Sequence, residues 1–154
     1  MTRKNSSGLP PYAQSIAASL LAAREAVMAP IRPHLRAANV TEQQWRVLRV
    51  LDDAETLDAS GIADKALLYA PTVTRILKEL ADRKFIDRQV DRLDARRSII
   101  SITNEGRALV HETAKHTRLL LDGYAETFGQ ERLLTFKAEA FALAKALEKF
   151  KPSE

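Results

Sequence analysis

A mainly α-helical fold carrying one small β-hairpin is the class this sequence predicts, and three features carry the prediction. Pro71, Thr72, Val73, Thr74, Arg75, Ile76 and Leu77 open a short helix with small and hydrogen-bonding residues in its first turn. Phe85–Val90 and Ser98–Ile102 then read as two β-runs, rich in β-branched residues. Between them lies a charged stretch, 91–97, holding Arg92, Asp94, Arg96 and Arg97. A helix able to show its first turn to base edges, followed by a cationic β-loop, is the winged form of a helix-turn-helix. That form expects duplex DNA, the helix in the major groove and the loop in the minor groove.

The elements follow in order. Residues 1–10 are polar and carry Gly8, and read as a flexible arm. From 12 to 28 Ile16, Leu20, Ala23 and Val27 recur at helical spacing, giving one apolar face. Pro30 and Pro33 break that helix, and 31–38 forms a short second piece. Thr41 and Gln44 make a capping box, and the helix they start buries Trp45, Leu48 and Leu51. Asp58 caps the next helix, with Ile62, Ala66 and Leu67 expected to face inward. After a turn at 68–70, Pro71 takes the first helical position, where a missing N–H costs little. Ile76, Leu77 and Leu80 form that helix's core face, leaving Thr72, Thr74, Arg75 and Lys78 outside.

Beyond the hairpin, Thr103 caps a long helix running to about Phe128, with Val110, Thr113, Thr117, Leu120 and Tyr124 on its buried stripe. Gly129 ends it. In the last helix Leu133, Phe136, Ala140, Leu143, Leu147 and Phe150 alternate three and four apart, a seam of coiled-coil type. Such a helix wants a partner, most simply its own copy across a two-fold axis. The expected division is therefore an arm (1–10), a helical dimerisation lobe (11–40 with 103–154) and a winged DNA-binding lobe (41–102).

Charge supports the same reading head. The formal net charge is +4 over 154 residues. Over 41–70 acids outnumber bases, whereas over 71–97 Arg75, Lys78, Arg83, Lys84, Arg88, Arg92, Arg96 and Arg97 outnumber the acids. A phosphate backbone requires an excess of that sign. There is no cysteine, which removes disulfides, thiolate zinc sites and thiol redox sensing. No apolar run approaches the roughly 20 residues of a membrane span, so the cytoplasm is the default location. His111 and His116 are five apart and point to different helix faces, and with His34 they make no metal site by spacing. No phosphate-binding glycine loop, nucleophile elbow or carboxylate pair stands out, so neither an enzyme nor a cofactor is expected.

Within the reading head, Arg75 can grip guanine in bidentate fashion, while Thr72 and Thr74 can reach phosphate or a thymine methyl. Asp94 and Arg96 are candidates for an internal pair that stiffens the wing. Arg92 or Arg97 would then enter the minor groove, whose negative potential suits an inserted Arg. Trp45, the only tryptophan, stands near Arg49 on its helix, and an aromatic wall beside a guanidinium suits an aromatic carboxylate.

The run from Asp94 through Arg96 to Thr103 and Gly106 resembles the wing signature of the multiple-antibiotic-resistance (MarR) family of winged-helix regulators. Thr72–Arg75 falls on that family's recognition-helix motif, and the resemblance covers most of the chain. Lys84 departs from it, standing where the family usually has Gly; a lysine there must find a less strained turn or accept a positive φ. Residues 20–28, Arg32 with Pro33, and 41–49 further resemble regulators of homoprotocatechuate (hydroxyphenylacetate) degradation operons. The resemblance implies a homodimeric repressor on a pseudo-palindromic operator, released by a phenolic or aryl-acetate ligand. It also implies that Arg24 and Met28 close a ligand cleft with Trp45 and Arg49. Two rival readings remain: a ligand-independent DNA-binding or architectural protein, and a helical protein–protein adaptor built on the last helix.

Overall fold

The computed structural model describes residues 8–91, 94 and 97–150. The first seven positions of the arm, Arg92 and Arg96 lie outside the described residues. The chain divides into two compact units, Met1–Ala114 and Lys115–Glu154.

The first unit begins with a 3-10 turn, Tyr12–Gln14, and helix α1, Ile16–Met28. The Ser15 hydroxyl accepts the Ala18 amide at 3.1 Å and caps α1. The predicted apolar face is present but uncovered, since Ile16, Leu20 and Val27 are all exposed. Helix α2, Arg32–Ala37, is stopped at Asn39, whose φ of +53° is the left-handed conformation an asparagine adopts most readily after glycine.

Helix α3, Glu42–Asp53, starts on the predicted capping box. The Gln44 amide donates to the Thr41 hydroxyl at 3.1 Å, and the Thr41 amide donates to the Gln44 Oε1 at 3.0 Å. Helix α4, Ala59–Ala66, is capped by Asp58, which accepts the Gly61 amide at 2.8 Å. Ile62 and Ala66 face inward as expected, but Leu67 does not. It terminates α4 in the left-handed conformation, φ +52°, and that reversal turns its side chain out to solvent at 83% exposure. Helix α5, Ala70–Asp82, follows with Pro71 in its first turn. Val73, Ile76, Leu77 and Leu80 are spaced three, one and three apart, so one face of α5 is buried completely.

Strands β1, Ile86–Val90, and β2, Ser98–Ile102, pair antiparallel with Ile86 opposite Ile102 and Arg88 opposite Ile100. Only Ile86 of β1 is buried, whereas β2 keeps Ile100 and Ile102 in the core, so the hairpin leaves the core beyond the Arg88–Ile100 pair and stands out as a wing. Leu57 ties its base down: the Leu57 amide donates to the Ile100 carbonyl at 3.0 Å, and the Ile100 amide returns the bond at 2.7 Å. Helix α6, Asn104–Phe128, is capped by Thr103, whose hydroxyl accepts the Gly106 amide at 3.1 Å. Val110 and Thr113 complete the core of Val47, Leu48, Leu51, Ile62, Val73, Ile76, Leu77, Leu80 and Ile100.

The second unit holds the rest of α6, a break at Gly129 with φ +98°, and helix α7, Gln130–Glu148. Here Thr117, Leu120, Tyr124, Leu133, Ala140 and Leu143 are half-buried, and Phe136, Phe141, Leu147 and Phe150 are exposed. No described residue of this unit is fully buried.

Candidate nucleic-acid interface

The outer face of α5 presents Thr74, Arg75 and Lys78 to solvent, with Thr72 half-buried beside them. The rigid apolar face beneath fixes that display, because Val73, Ile76, Leu77 and Leu80 are locked in the core. Thr74, exposed, donates its hydroxyl to the Ala70 carbonyl at 3.1 Å. Arg75 donates to Glu79 at 2.8 Å, one helical turn on. The second carboxylate oxygen of Glu79 accepts from the Gln44 side chain, also at 2.8 Å. Leu67 and Tyr69, in the turn leading to α5, are 83% and 85% exposed, and sequence reasoning assigned neither to this surface. Tyr69 is the N-cap of α5 and makes no side-chain cap. An aromatic at a capping position was the available signal.

The wing is pinned by a contact between residues far apart in sequence. Arg97, a candidate for the minor groove, donates to Asp58 at 2.5 Å. Asp58 therefore serves two partners, and the Gly61 amide and then the Arg97 guanidinium hold its carboxyl below the ordinary carboxylate range. The same contact raises the Arg97 guanidinium. The turn itself closes through backbone: the Arg97 amide donates to the Asp94 carbonyl and the Asp91 amide to the Arg97 carbonyl, each at 2.9 Å. Arg96 of the expected Asp94–Arg96 pair, and Arg92, lie outside the described residues.

At the root of the wing Lys84 takes φ +60°, so the lysine accepts the left-handed conformation that glycine would occupy without penalty. The Lys84 carbonyl accepts the Thr103 hydroxyl at 2.8 Å, and the Phe85 carbonyl accepts the Thr103 amide at 3.0 Å. Gly106 then packs so closely that a Cβ there would stand 2.3 Å from the Phe85 carbonyl oxygen. The spacing of Thr103 and Gly106 thus has a local cause: one caps α6 and grips the turn, the other lets the backbones touch.

The second candidate group gathers on α1 and α3. Trp45 is buried, and the Arg49 guanidinium lies 5.9 Å from its ring centroid. Met28 is half-buried. Arg24 is engaged within its own chain, paired with Glu42 and, at 2.9 Å, with Glu25. Arg32 reaches the same two carboxylates, at 3.2 Å to Glu42 and 2.8 Å to Glu25. The Glu25 carboxyl is lowered chiefly by its bond to Arg32. Arg46, unassigned from sequence, donates to the Ala66 carbonyl at 3.1 Å, while its buried Nε has no partner among the described residues. Burial, with the charge of Arg24 second, lowers that guanidinium. Among the described residues no helix is long and apolar enough to cross a membrane.

Residues 38–97 match the MarR family. The chain is 37% identical over 131 residues to the HTH-type transcriptional regulator FarR of Neisseria gonorrhoeae, covering 85% of this chain and 90% of that protein. It is 38% identical over 95 residues to the homoprotocatechuate degradative operon repressor of Escherichia coli, covering 62% and 64%. The crystal structure of NadR in complex with 4-hydroxyphenylacetate superposes with a TM-score of 0.78 at 35% identity, over 89% of this chain and 99% of that one. CouR bound to a 23-mer DNA duplex shares the fold, with a TM-score of 0.78 at 21% identity over 86% and 94%.

Proposed function

The chain belongs to the MarR family of transcriptional regulators, and from that premise we propose that it is a homodimeric repressor of an aromatic-compound degradation operon, released by a phenolic or aryl-acetate ligand. The observation that carries the DNA part is the two-faced α5. Its inner residues are wholly buried, so Thr72, Thr74, Arg75 and Lys78 are displayed on a rigid frame beside a wing anchored through Leu57 and Asp58. Two such helices, one per protomer, read successive major grooves about one helical turn apart. The uncovered apolar residues of α1 and α7 supply the surface for self-association.

The ligand part is supported by Trp45 with Arg49 over its ring and by Arg24 and Met28 on α1, together with the names of the E. coli repressor and the NadR complex. An aryl-acetate would place its ring on Trp45 and its carboxylate at a guanidinium. Such a ligand shifts the dimer toward a spacing wrong for DNA only by its differential affinity, about 1.4 kcal/mol per tenfold loss of binding. One observation favours the ligand-independent reading instead: Arg24 is already neutralised by Glu42 and Glu25.

Fluorescence anisotropy of the purified protein on its own upstream DNA, against scrambled DNA and with hydroxyphenylacetate or homoprotocatechuate titrated in, separates these readings. Specific binding released by either acid supports regulator and ligand class together. Specific binding that neither acid disturbs favours the ligand-independent reading, and no preference over scrambled DNA leaves an operator elsewhere or an adaptor, which Arg75→Ala and Leu143→Asp then separate.

A further inference from the structure

An arginine that reads a base edge must present a planar fork in one orientation, and its long stem resists that. Arg75 is 62% exposed at its side chain, so packing does not orient it. Its guanidinium is held instead by Glu79, four residues on. An exposed pair of that spacing is ordinarily loose and contributes little. This one is not free to swivel. One oxygen of Glu79 meets Arg75, and the other accepts the Gln44 Nε2 at 2.8 Å. Gln44 is in turn fixed at both ends, because its Oε1 accepts the Thr41 amide in the capping box and the residue is only 7% exposed. The chain of bonds runs from the first turn of α3 to the reading face of α5. A glutamine at this place is more than a cap: glutamate would complete the capping box equally well but has no N–H for Glu79.

We propose that Gln44, acting through Glu79, is a positioning residue that presents Arg75 to the DNA and so sets the base preference of α5. The inference rests on the DNA-binding reading above. It makes Gln44 a specificity determinant that touches no DNA. The turn it belongs to is also the one that Arg24 and Arg32 grip through Glu42.

The test uses the full chain and a duplex selected by the wild-type protein from random sequence, with a panel of single base-pair substitutions of that duplex. Gln44→Glu keeps the capping box and sets two carboxylates against each other. Gln44→Glu with Glu79→Gln exchanges donor and acceptor and remakes the bond. Arg75→Ala is expected to reduce preference at one base pair by roughly 10- to 100-fold. Gln44→Glu and Glu79→Ala are each expected to lose most of that preference at the same base pair, with no further loss when either is combined with Arg75→Ala. The exchange variant should restore it to within about threefold. Thermal melts confirm folding, and if Gln44→Glu does not fold, Glu79→Ala decides. Losses spread evenly over all duplexes, losses additive with Arg75→Ala, or an exchange variant no better than Gln44→Glu would overturn the positioning role. Failure of the wild-type protein to select any duplex would overturn the DNA-binding reading, and this inference with it.

Discussion

Two stretches of this chain carry apolar residues at the same helical spacing and meet opposite fates. Between Ile31 and Val110 the stripes of α3, α4 and α5 close on one another and on Ile86, Ile100 and Ile102, leaving those side chains at 9% exposure or less. In Lys115–Glu154, and in α1, no described residue is fully buried although Ile16, Leu20, Phe136 and Leu147 are as regularly spaced. Periodicity tells which face of a helix is apolar, whereas chain connectivity tells whether this same chain supplies the cover. One region is finished in a single chain; the other keeps its apolar surface in water, and the self-association proposed above would remove it at about 25 cal/mol per Å².

The sharpest way to break the finished region is at its closest backbone approach. Gly106→Ala puts a methyl 2.3 Å from the Phe85 carbonyl oxygen, backbone against backbone, where neither can yield cheaply. We expect a loss of about 3 kcal/mol, a fall of roughly 6–12 °C in the melting temperature. Differential scanning calorimetry checks it, and an unchanged melt would mean the wing root is looser than described.

The unfinished region should break differently. Leu143→Asp places a charge in the α7 seam and should weaken self-association roughly a hundredfold, about 2.8 kcal/mol, with residues 31–110 still folded. Sedimentation equilibrium reads the first effect and amide exchange the second. A variant that stays dimeric at micromolar concentration would move the interface off α7.

A smaller effect of opposite sign is expected at Lys84. Lys84→Gly removes the steric cost of φ +60° but adds backbone freedom to the unfolded chain, so the net gain should be up to about 1 kcal/mol, read by denaturant unfolding. Smallest is the acid response of the wing. The Asp58 carboxyl is depressed in the folded chain, first by the Gly61 amide and then by Arg97. Its contribution is therefore fully present above the unfolded value, about 3.9, and is lost as pH falls through the lower folded value. Wild type and Asp58→Asn should differ at neutral pH and converge at the acid end of a stability profile. Parallel profiles would mean Asp58 does not titrate with the wing.

The differences between expectation and structure have one physical origin. Thr41, Asp58 and Thr103 were readable as caps because a cap acts across three residues of contiguous chain, and all three hold the predicted amides or turns. The buried face of α5 was readable because it depends only on spacing. Leu67 was misplaced because its spacing is right while its backbone has left the helix, and a left-handed leucine carries no sequence mark. The pairing of Arg97 with Asp58 is not legible in the charge of the loop, because the two stand 39 residues apart. The α1–α3 group divides in the same manner: Trp45 and Arg49, four apart on one helix, were readable, while the pairing of Arg24 with Glu42 was not.

By itself the sequence determined the helices, the hairpin, the caps, the apolar faces and the family, since each is written in short-range spacing or local wording. Tertiary structure decided what those elements do to one another. It joined Gln44 to Glu79, locked Arg97 to Asp58, and pressed Gly106 against Phe85. Such contacts depend on where two distant segments arrive in space, and a side chain's reach of a few ångströms makes that position, not residue type, the deciding quantity.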